Sequence, residues 1–329
     1  MFDAEDLQAV WYAGKPPSLA LRALATSYSV AIALHRSLYR CGVLRTQCLP
    51  VPVVVVGNIT VGGTGKTPLV IALVEALRTR GHKPGVVSRG YGGTIETARL
   101  LDRASKPGEC GDEPVLIQRA TGAAVAVGRD RVAAARLLLT AGECDVIIAD
   151  DGLQHYALAR DVEICVIDGT RRFGNGCLLP AGPLREPLSR LTSIPFQVCN
   201  SGMAQGSEIP MTLIADSVLP VGRPDDAPRP LADFAGRRVH AVAGIGNPSR
   251  FFVMLRSAGL VVDEHPFADH HAFTPADLDF GDDAPVLMTQ KDAVKCEYFA
   301  RANSWQVPVR TELPAAFFDA VSVRVLPRV

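Results

Sequence analysis

Lys66 and Thr67 close a glycine-rich turn, and the residues around them are of the kinds that handle phosphate. The stretch VPVVVVGNITVGGTGKTP (51–68) runs from Val53–Val56 through Gly57 to Gly62, Gly63 and Gly65, then into the apolar-periodic LVIALVEALRTR. Strand, glycine loop, Lys-Thr and helix is the layout of a phosphate-binding P-loop. Glycines let backbone N–H groups turn inward around phosphate oxygens. The following helix aims the positive end of its dipole at the same anion. The cradle is expected over Thr60, Val61, Gly62, Gly63, Thr64, Gly65, Lys66 and Thr67. Lys66 would reach the outer phosphates of a nucleoside triphosphate, and the Thr67 hydroxyl would ligate Mg²⁺. Thr60 stands where the motif has glycine, and the competing reading is an ordinary glycine turn before a helix.

A second signal is Asp150-Asp151, reached through the mostly apolar Val146–Ala149 as at the end of a Walker B strand. Two adjacent carboxylates repel unless a cation compensates them, so Mg²⁺ is the expected partner. The block continues into Gly152-Leu153-Gln154-His155, polar groups just past a strand end, where open α/β sheets bind ligands. Gly111-Asp112-Glu113-Pro114 reads by itself as an acidic turn opening a helix. Asp269-His270-His271 reads by itself as a surface turn, because neighbouring histidines cannot both face one ion from a regular strand or helix. GIGNPS (244–249) has Ser249 where a dinucleotide fingerprint needs its third glycine. T-Q-K-D at 289–292 is not the guanine-reading signature of a GTPase.

These groups need a scaffold, and the chain supplies an alternating one. After the P-loop helix come KPGVVSRGYGG, a helix after GECGDEP, the strand AAVAVG, the helix RDRVAAARLLLTAG, and the strands CDVIIADDG and DVEICVIDG. Nearly continuous apolar strands alternating with helices predict a P-loop NTPase-like parallel sheet with helices on both faces. The proline-rich, charged stretch LPVGRPDDAPRPLADFAGRR suits a link to a second, smaller α/β lobe built on VHAVAG, PSRFFVMLRSAG and APVLMTQ. The expected division is an N-terminal segment 1–45, a kinase-type lobe 46–220, a linker 221–235 and a C-terminal lobe 236–329.

Composition agrees with a large core and narrows the partners. The 329 residues are 48% hydrophobic, and 34 basic residues balance 34 acidic ones, so no net field draws the chain to nucleic acid. Eight cysteines, at 41, 48, 110, 144, 165, 177, 199 and 296, show no C-x-x-C or Cys/His ligand spacing and read as buried thiols of a reducing compartment. Residues 19–44 are largely apolar yet carry Arg22, Arg36 and Arg40; the uncharged run Ala23–Leu34 is 12 residues, against roughly 20 needed to span a bilayer. A helix docked on the core and an interfacial helix both fit that segment.

Together the motifs resemble the tetraacyldisaccharide 4'-kinase (lipid A 4'-kinase) family. The resemblance rests on PVPVVVVGNITVGGTGKTP, GVVSRGYGG, GDEPVLI, IADDGLQHYALARDVEICVIDG, RRFGNG, LPAGPLRE, AVAGIGNPSRFF, FADHHAF and TQKDAVK, in that order over nearly the whole chain. Threonine at position 60 is also that family's habit. The resemblance implies transfer of the ATP γ-phosphoryl group to the 4'-hydroxyl of a tetraacylated glucosamine disaccharide 1-phosphate, a step of lipid A biosynthesis. It implies a peripheral or monotopic place on the cytoplasmic face of the inner membrane, tips the segment 1–45 toward a membrane-contacting helix, and does not imply an obligate protein partner. By the same likeness Asp112 is expected to act as base, paired with His270 of the DHH segment in preference to its neighbour His271. Glu113, Asp150 and Asp151 are expected to arrange Mg²⁺ with Thr67. Arg131, with Arg129 as the alternative, is expected to stabilise γ-phosphate charge. Asn58, Arg89, Gln154, His155 and Arg172 are candidates to touch the substrate. The rival functions are a P-loop assembly or switch ATPase, against which Val61 stands where a signature lysine would be, and a kinase of a soluble metabolite.

Overall fold

The computed structural model describes residues 4–142, 144–223 and 226–326. The extreme ends of the expected N- and C-terminal segments, and residues 224–225 of the expected linker, lie outside the described residues. Two helices, α1 (Ala4–Tyr12) and α2 (Leu19–Arg40), precede a nine-stranded sheet. Its elements are β1 (Val53–Gly57), α3 (Lys66–Thr79), β2 (Pro84–Ser88), β3 (Arg99–Leu100), α4 (Pro107–Cys110), α5 (Asp112–Thr121), β4 (Val125–Val127), α6 (Arg131–Thr140), β5 (Val146–Asp150), β6 (Val162–Asp168), β7 (Phe196–Asn200) and β8 (Ile209–Ile214). A second sheet of six strands takes β9 (Ser217–Pro220), β10 (Arg229–Pro230), β11 (Arg238–Ala243), β12 (Val261–Pro266), β13 (Val286–Thr289) and β14 (Ser304–Val307), with α7 (Pro248–Ser257) and α8 (Gln290–Cys296). The chain then returns to the first sheet through β15 (Arg310–Glu312) and α9 (Ala315–Arg324).

The larger sheet has the order β15-β8-β7-β6-β1-β5-β2-β4-β3, parallel except for its two edge strands. The valine run of β1 explains its central place. Val54 and Val56 pack on one face with Leu69, Leu73 and Leu77 of α3, while Val53 and Val55 pack on the other with Val132, Ala135 and Leu138 of α6. A strand buried on both faces has no use for alternation, hence four consecutive apolar residues. Strands β2 to β5 lie on one side of β1 and β6 to β8 on the other, so the strand order reverses at β1, which opens a crevice at the strands' carboxyl ends. Those ends carry the P-loop, Asp150 and Asp168.

Sheet membership departs from the expected boundaries. Strands β9 and β10 lie in the second sheet, so the proline-rich stretch 221–235 is built into that lobe instead of hanging between lobes. Residues 310–324 do not belong to the second lobe: β15 pairs antiparallel with β8, and Phe317 of α9 stacks edge-on against Phe196 of β7. The reason is visible in α9, whose Phe317 and Val321 complete the core beneath α3. Three buried cysteines, Cys110, Cys165 and Cys199, sit in the larger lobe and Cys296 in the smaller.

Among the described residues no helix is long and apolar enough to cross a membrane. The 22-residue α2 buries only Leu21 fully. It is fastened by the Tyr28 hydroxyl, which donates to Arg185 O at 3.0 Å, and by His35 and Tyr39 against the Tyr156 ring. Its opposite side turns Leu19 (84% exposed), Val30 (63%) and Leu34 (59%) outward.

Candidate active site

The P-loop is braced from both ends. Asn58, fully buried just past β1, donates through Nδ2 to Gly62 O (3.4 Å) and accepts from Lys66 Nζ (3.4 Å). Asn58 therefore shapes the loop and orients its lysine. Val61 N–H donates to Pro183 O at 2.9 Å, so that amide is unavailable to a phosphate and the cradle narrows to residues 62–67. Thr60 is buried, its backbone bridged to Leu184. Gly65 shows why this turn needs glycine: its φ is +93°, and a Cβ there would stand 2.1 Å from Asn200 Nδ2, which donates to Thr64 O. Lys66 opens α3 with its neighbour Thr67, where the backbone donors of the first turn have no partner within the helix.

Strand β5 delivers Asp150 beside this loop, in register with Val56 of β1. Asp150 is fully buried; Ser88 Oγ donates to its Oδ2 at 3.3 Å, and its Oδ1 has no hydrogen-bond partner. Burial, then Glu113 and Asp151, push its carboxyl up to about 7, against the pull of Lys66 and Ser88. A buried carboxylate with a free oxygen beside a second carboxylate fits a divalent cation. Among the described residues no three His, Cys, Asp or Glu side chains group to hold a metal unaided. That suits Mg²⁺, which takes one or two carboxylates and completes its shell with water and substrate phosphates.

Asp151 faces the other way. Arg185 Nη1 grips both its oxygens (3.1 and 3.0 Å), and Lys66 Nζ lies 3.6 Å away. Burial opposes its charge, but Lys66 and Arg185 hold the carboxyl far below the usual range. Asp151 is clasped between lysine and arginine, as Glu113 is held by Lys291 at 3.1 Å, which leaves Asp150 as the carboxylate with a free oxygen beside Thr67. Asp151 has φ +49° and His270 φ +62°; such left-handed backbone costs about 1–3 kcal/mol and persists where surroundings enforce it.

The smaller lobe closes over the larger one at this point. His270 Nδ1 lies 3.0 and 3.1 Å from the two oxygens of Asp112, which is buried at the start of α5. His271 instead packs between Phe267 and Phe273 and pairs with Asp277 at 3.3 Å. The hydrogen bond to Asp112 raises His270 above its ordinary value. Burial works against the Asp112 charge, yet His270, Lys291 and Lys295 hold it below the usual carboxylate range. Lys291 Nζ stands 3.1 Å from Glu113 and 3.1 Å from Asp269, with Asp112 at 3.9 Å. The GIGN loop meets the P-loop backbone: a Cβ on Gly246 would come within 2.5 Å of Gly63 N. Arg171 donates to Gly246 O at 2.8 Å, and Arg250 pairs with Asp168 at 2.7 Å.

Two clefts lie side by side, Lys66 lining one and Asp151 the other, 3.6 Å apart. One, of about 370 Å³, is lined by Gly63–Pro68, Glu113, the GIGN loop, Lys291 and apolar side chains such as Leu213, Phe251 and Met254. The other, of about 240 Å³, is lined by Arg89, Arg129, Arg131, Arg185, Asp151, Gln154 and His155. Four guanidiniums around one cavity suit an anionic or polyhydroxyl ligand. Burial and Arg131 hold His155 at about 4, so its imidazole is neutral near pH 7. Arg131 belongs to this second cleft, where Nη2 donates to Asp151 O at 3.4 Å. Arg172 reaches neither cleft: its guanidinium is bound to Glu208 (2.7 and 2.9 Å) and Gln205. Arg185 and Lys291 were not among the expected site residues; both lie in motifs, LPAGPLRE and TQKDAVK, quoted only for likeness.

A family model of tetraacyldisaccharide-1-P 4'-kinase (LpxK) matches residues 17–325. A relative called tetraacyldisaccharide 4'-kinase in Stenotrophomonas maltophilia (strain R551-3) is 54% identical over 325 residues, 96% of this chain and 95% of its own. One of the same name in Xanthomonas axonopodis pv. citri (strain 306) is 54% identical over 328 residues, 96% of this chain and 94% of its own. A crystal structure of LpxK from Aquifex aeolicus in complex with ATP aligns with TM-score 0.77 at 27% identity, covering 93% of this chain and 99% of that one. The likeness runs through the P-loop, both lobes and the returning strand and helix, and by it the chain belongs to the tetraacyldisaccharide-1-P 4'-kinase family.

Proposed function

We propose that this protein transfers the γ-phosphoryl group of ATP to the 4'-hydroxyl of a tetraacylated glucosamine disaccharide 1-phosphate at a membrane surface. The observation that carries the reading is that the P-loop cleft and the arginine-lined cleft adjoin, Lys66 of the one lying 3.6 Å from Asp151 of the other. ATP lies in the larger cleft, its outer phosphates toward residues 62–67 and its base toward the apolar side chains of the smaller lobe. The sugar and its phosphate enter the arginine-lined cleft, with Arg89, Gln154 and His155 as contacts. Arg131 and Arg185 add positive charge where the acceptor approaches the phosphoryl group.

Phosphoryl transfer has a loose transition state, so positioning and charge do most of the catalysis. Asp112 accepts the proton of the 4'-hydroxyl late in the transfer, and His270 orients it and tunes its basicity. Thr67 and Asp150 would hold Mg²⁺, which when bound neutralises phosphate charge, with Glu113 and Asp151 arranging its waters. Contact of Gly246 with the P-loop excludes water, which would otherwise take the phosphoryl group. The test uses purified full-length protein with ATP, Mg²⁺ and either the tetraacylated disaccharide 1-phosphate in mixed micelles or a soluble glucosamine phosphate. The lipid is expected to be phosphorylated at least about a hundredfold faster, because remote binding energy aligns the reacting hydroxyl. Equal rates would favour a soluble-metabolite kinase, and ATP hydrolysis without transfer to either would favour a switch ATPase.

Helix α2 carries the membrane part of this reading. Its docked side rests on Arg185 O and Tyr156, next to the arginine-lined cleft, while Val30 and Leu34 face outward. Laid in the interface of anionic lipid, with Arg22 and Arg40 at the headgroups, it holds the cleft at the depth of an acceptor that stays in the bilayer. Val30→Glu with Leu34→Glu removes two side chains worth about 1.5–3 kcal/mol each on full burial. Sedimentation with anionic liposomes is expected to weaken by about tenfold or more, and KM for the lipid to rise with KM for ATP unchanged. Salt releases part of the bound wild-type protein, because arginine attraction is screened and apolar burial is not. Wild-type protein left in the supernatant at low salt would refute the interfacial reading.

A further inference from the structure

We propose that Lys291 is the positioning residue that couples closure of the smaller lobe to assembly of the Asp112–His270 pair. The proposal rests on the reading of that pair given above. Its ammonium bridges Glu113 of the larger lobe and Asp269 of the smaller, 3.1 Å from each. Asp112 is 3.9 Å away, and Asp269 Oδ1 lies 3.8 Å from His270 Nε2. The charged groups around it are thus Asp112 and Glu113 from α5, Asp269 and His270 from the turn after β12, and Lys295 from its own helix.

Lys291 is also rigidly mounted. It sits in the first turn of α8, capped by Thr289, whose hydroxyl donates to Asp292 at 2.6 Å. Asp292 in turn accepts from Gly244 N at 2.9 Å, which ties α8 to the GIGN loop that meets the P-loop. The lysine therefore moves with the closing lobe as one body. Without its charge, Glu113 and Asp269 face each other across the lobe boundary within about 6 Å, and like charges at that distance in a half-buried site repel. Lys295 does not replace it, because its ammonium is held by Asp292 at 2.8 Å.

The test is a charge-rescue cycle in the full-length protein, read by turnover and by small-angle scattering with a non-hydrolysable ATP analogue. Lys291→Met is expected to lower kcat by about 30-fold and to leave the analogue-bound protein expanded. Asp269→Asn alone lowers kcat by about fivefold. Combined with Lys291→Met it removes the cross-lobe repulsion and restores about tenfold over the single variant, with compaction regained. A role in fold stability alone would lower the unfolding temperature of Lys291→Met while leaving kcat per folded protein and the analogue-bound compaction unchanged. Should Lys291→Met fail to fold, Lys291→Gln with and without Asp269→Asn gives the same comparison. A Lys291→Met enzyme within about threefold of wild type, or a double variant as slow as the single one, overturns the proposal. If the base assignment were wrong, Asp112→Asn would keep its turnover while the compaction and its rescue stayed intact, so the two failures are distinguishable.

Discussion

Lys66→Ala is expected to lower phosphoryl transfer by about a thousandfold or more while the protein stays folded. Lys66 is a buried cation of the larger cleft, 3.6 Å from Asp151 of the arginine-lined one and oriented by Asn58 Oδ1 at 3.4 Å. Its ammonium offsets part of the charge that Asp150 and Asp151 build at the strand end, and in the proposed reaction it turns to the outer phosphates of ATP. Truncation removes that contact in the transition state, where charge on the phosphoryl oxygens is greatest. The fold should survive, because Arg185 keeps its bidentate hold on Asp151 and the β1 core does not involve the lysine head. Turnover, a thermal unfolding curve and calorimetric titration with an ATP analogue separate these effects. A folded variant within about tenfold of wild type would sink the P-loop assignment.

What could be read from the sequence was what spacing alone encodes. The P-loop and the Asp150-Asp151 strand end are local patterns, and β1 and β5 pair directly, so chemistry legible in two short segments is adjacent in space. The Asp112–His270 contact joins residues 158 apart, and periodicity cannot encode it; only family likeness suggested it. The choice between His270 and His271 rests on tertiary packing, since the aromatic rings of Phe267 and Phe273 claim His271. Arg171 and Arg172 show the same limit. Asp168 caps the turn through Thr170 N and Arg171 N, which sends Arg171 to Gly246 O and Arg172 to Glu208. The return of β15 was invisible for a different reason: a three-residue edge strand carries too few positions to show a pattern.

Asp112→Asn should cut turnover by about a hundredfold or more and leave ATP affinity little changed. The amide keeps the shape of the buried carboxylate but cannot take the proton of the sugar hydroxyl. The pH profile adds a second, independent reading. Asp112 is held below the usual carboxylate range, so it is anionic throughout the working range; His270 is raised above its ordinary 6.5 by the bond to Asp112. A protonated His270 draws on the Asp112 lone pairs and weakens the base. Wild-type kcat should therefore climb as pH rises through the raised His270 value, over a window that begins above 6.5. Stability carries the opposite sign. A raised histidine contributes fully below its unfolded value and loses that contribution as pH rises through the folded one, so lobe docking weakens where the base strengthens. Asp112, with its lowered value, contributes above the ordinary carboxylate range and fails only in acid. In Asp112→Asn there is no carboxylate base for His270 to weaken, so the limb should vanish from the residual activity. A limb that stays in place would remove His270 from the reaction. Collapse of ATP binding in the variant would instead make Asp112 a nucleotide or metal ligand.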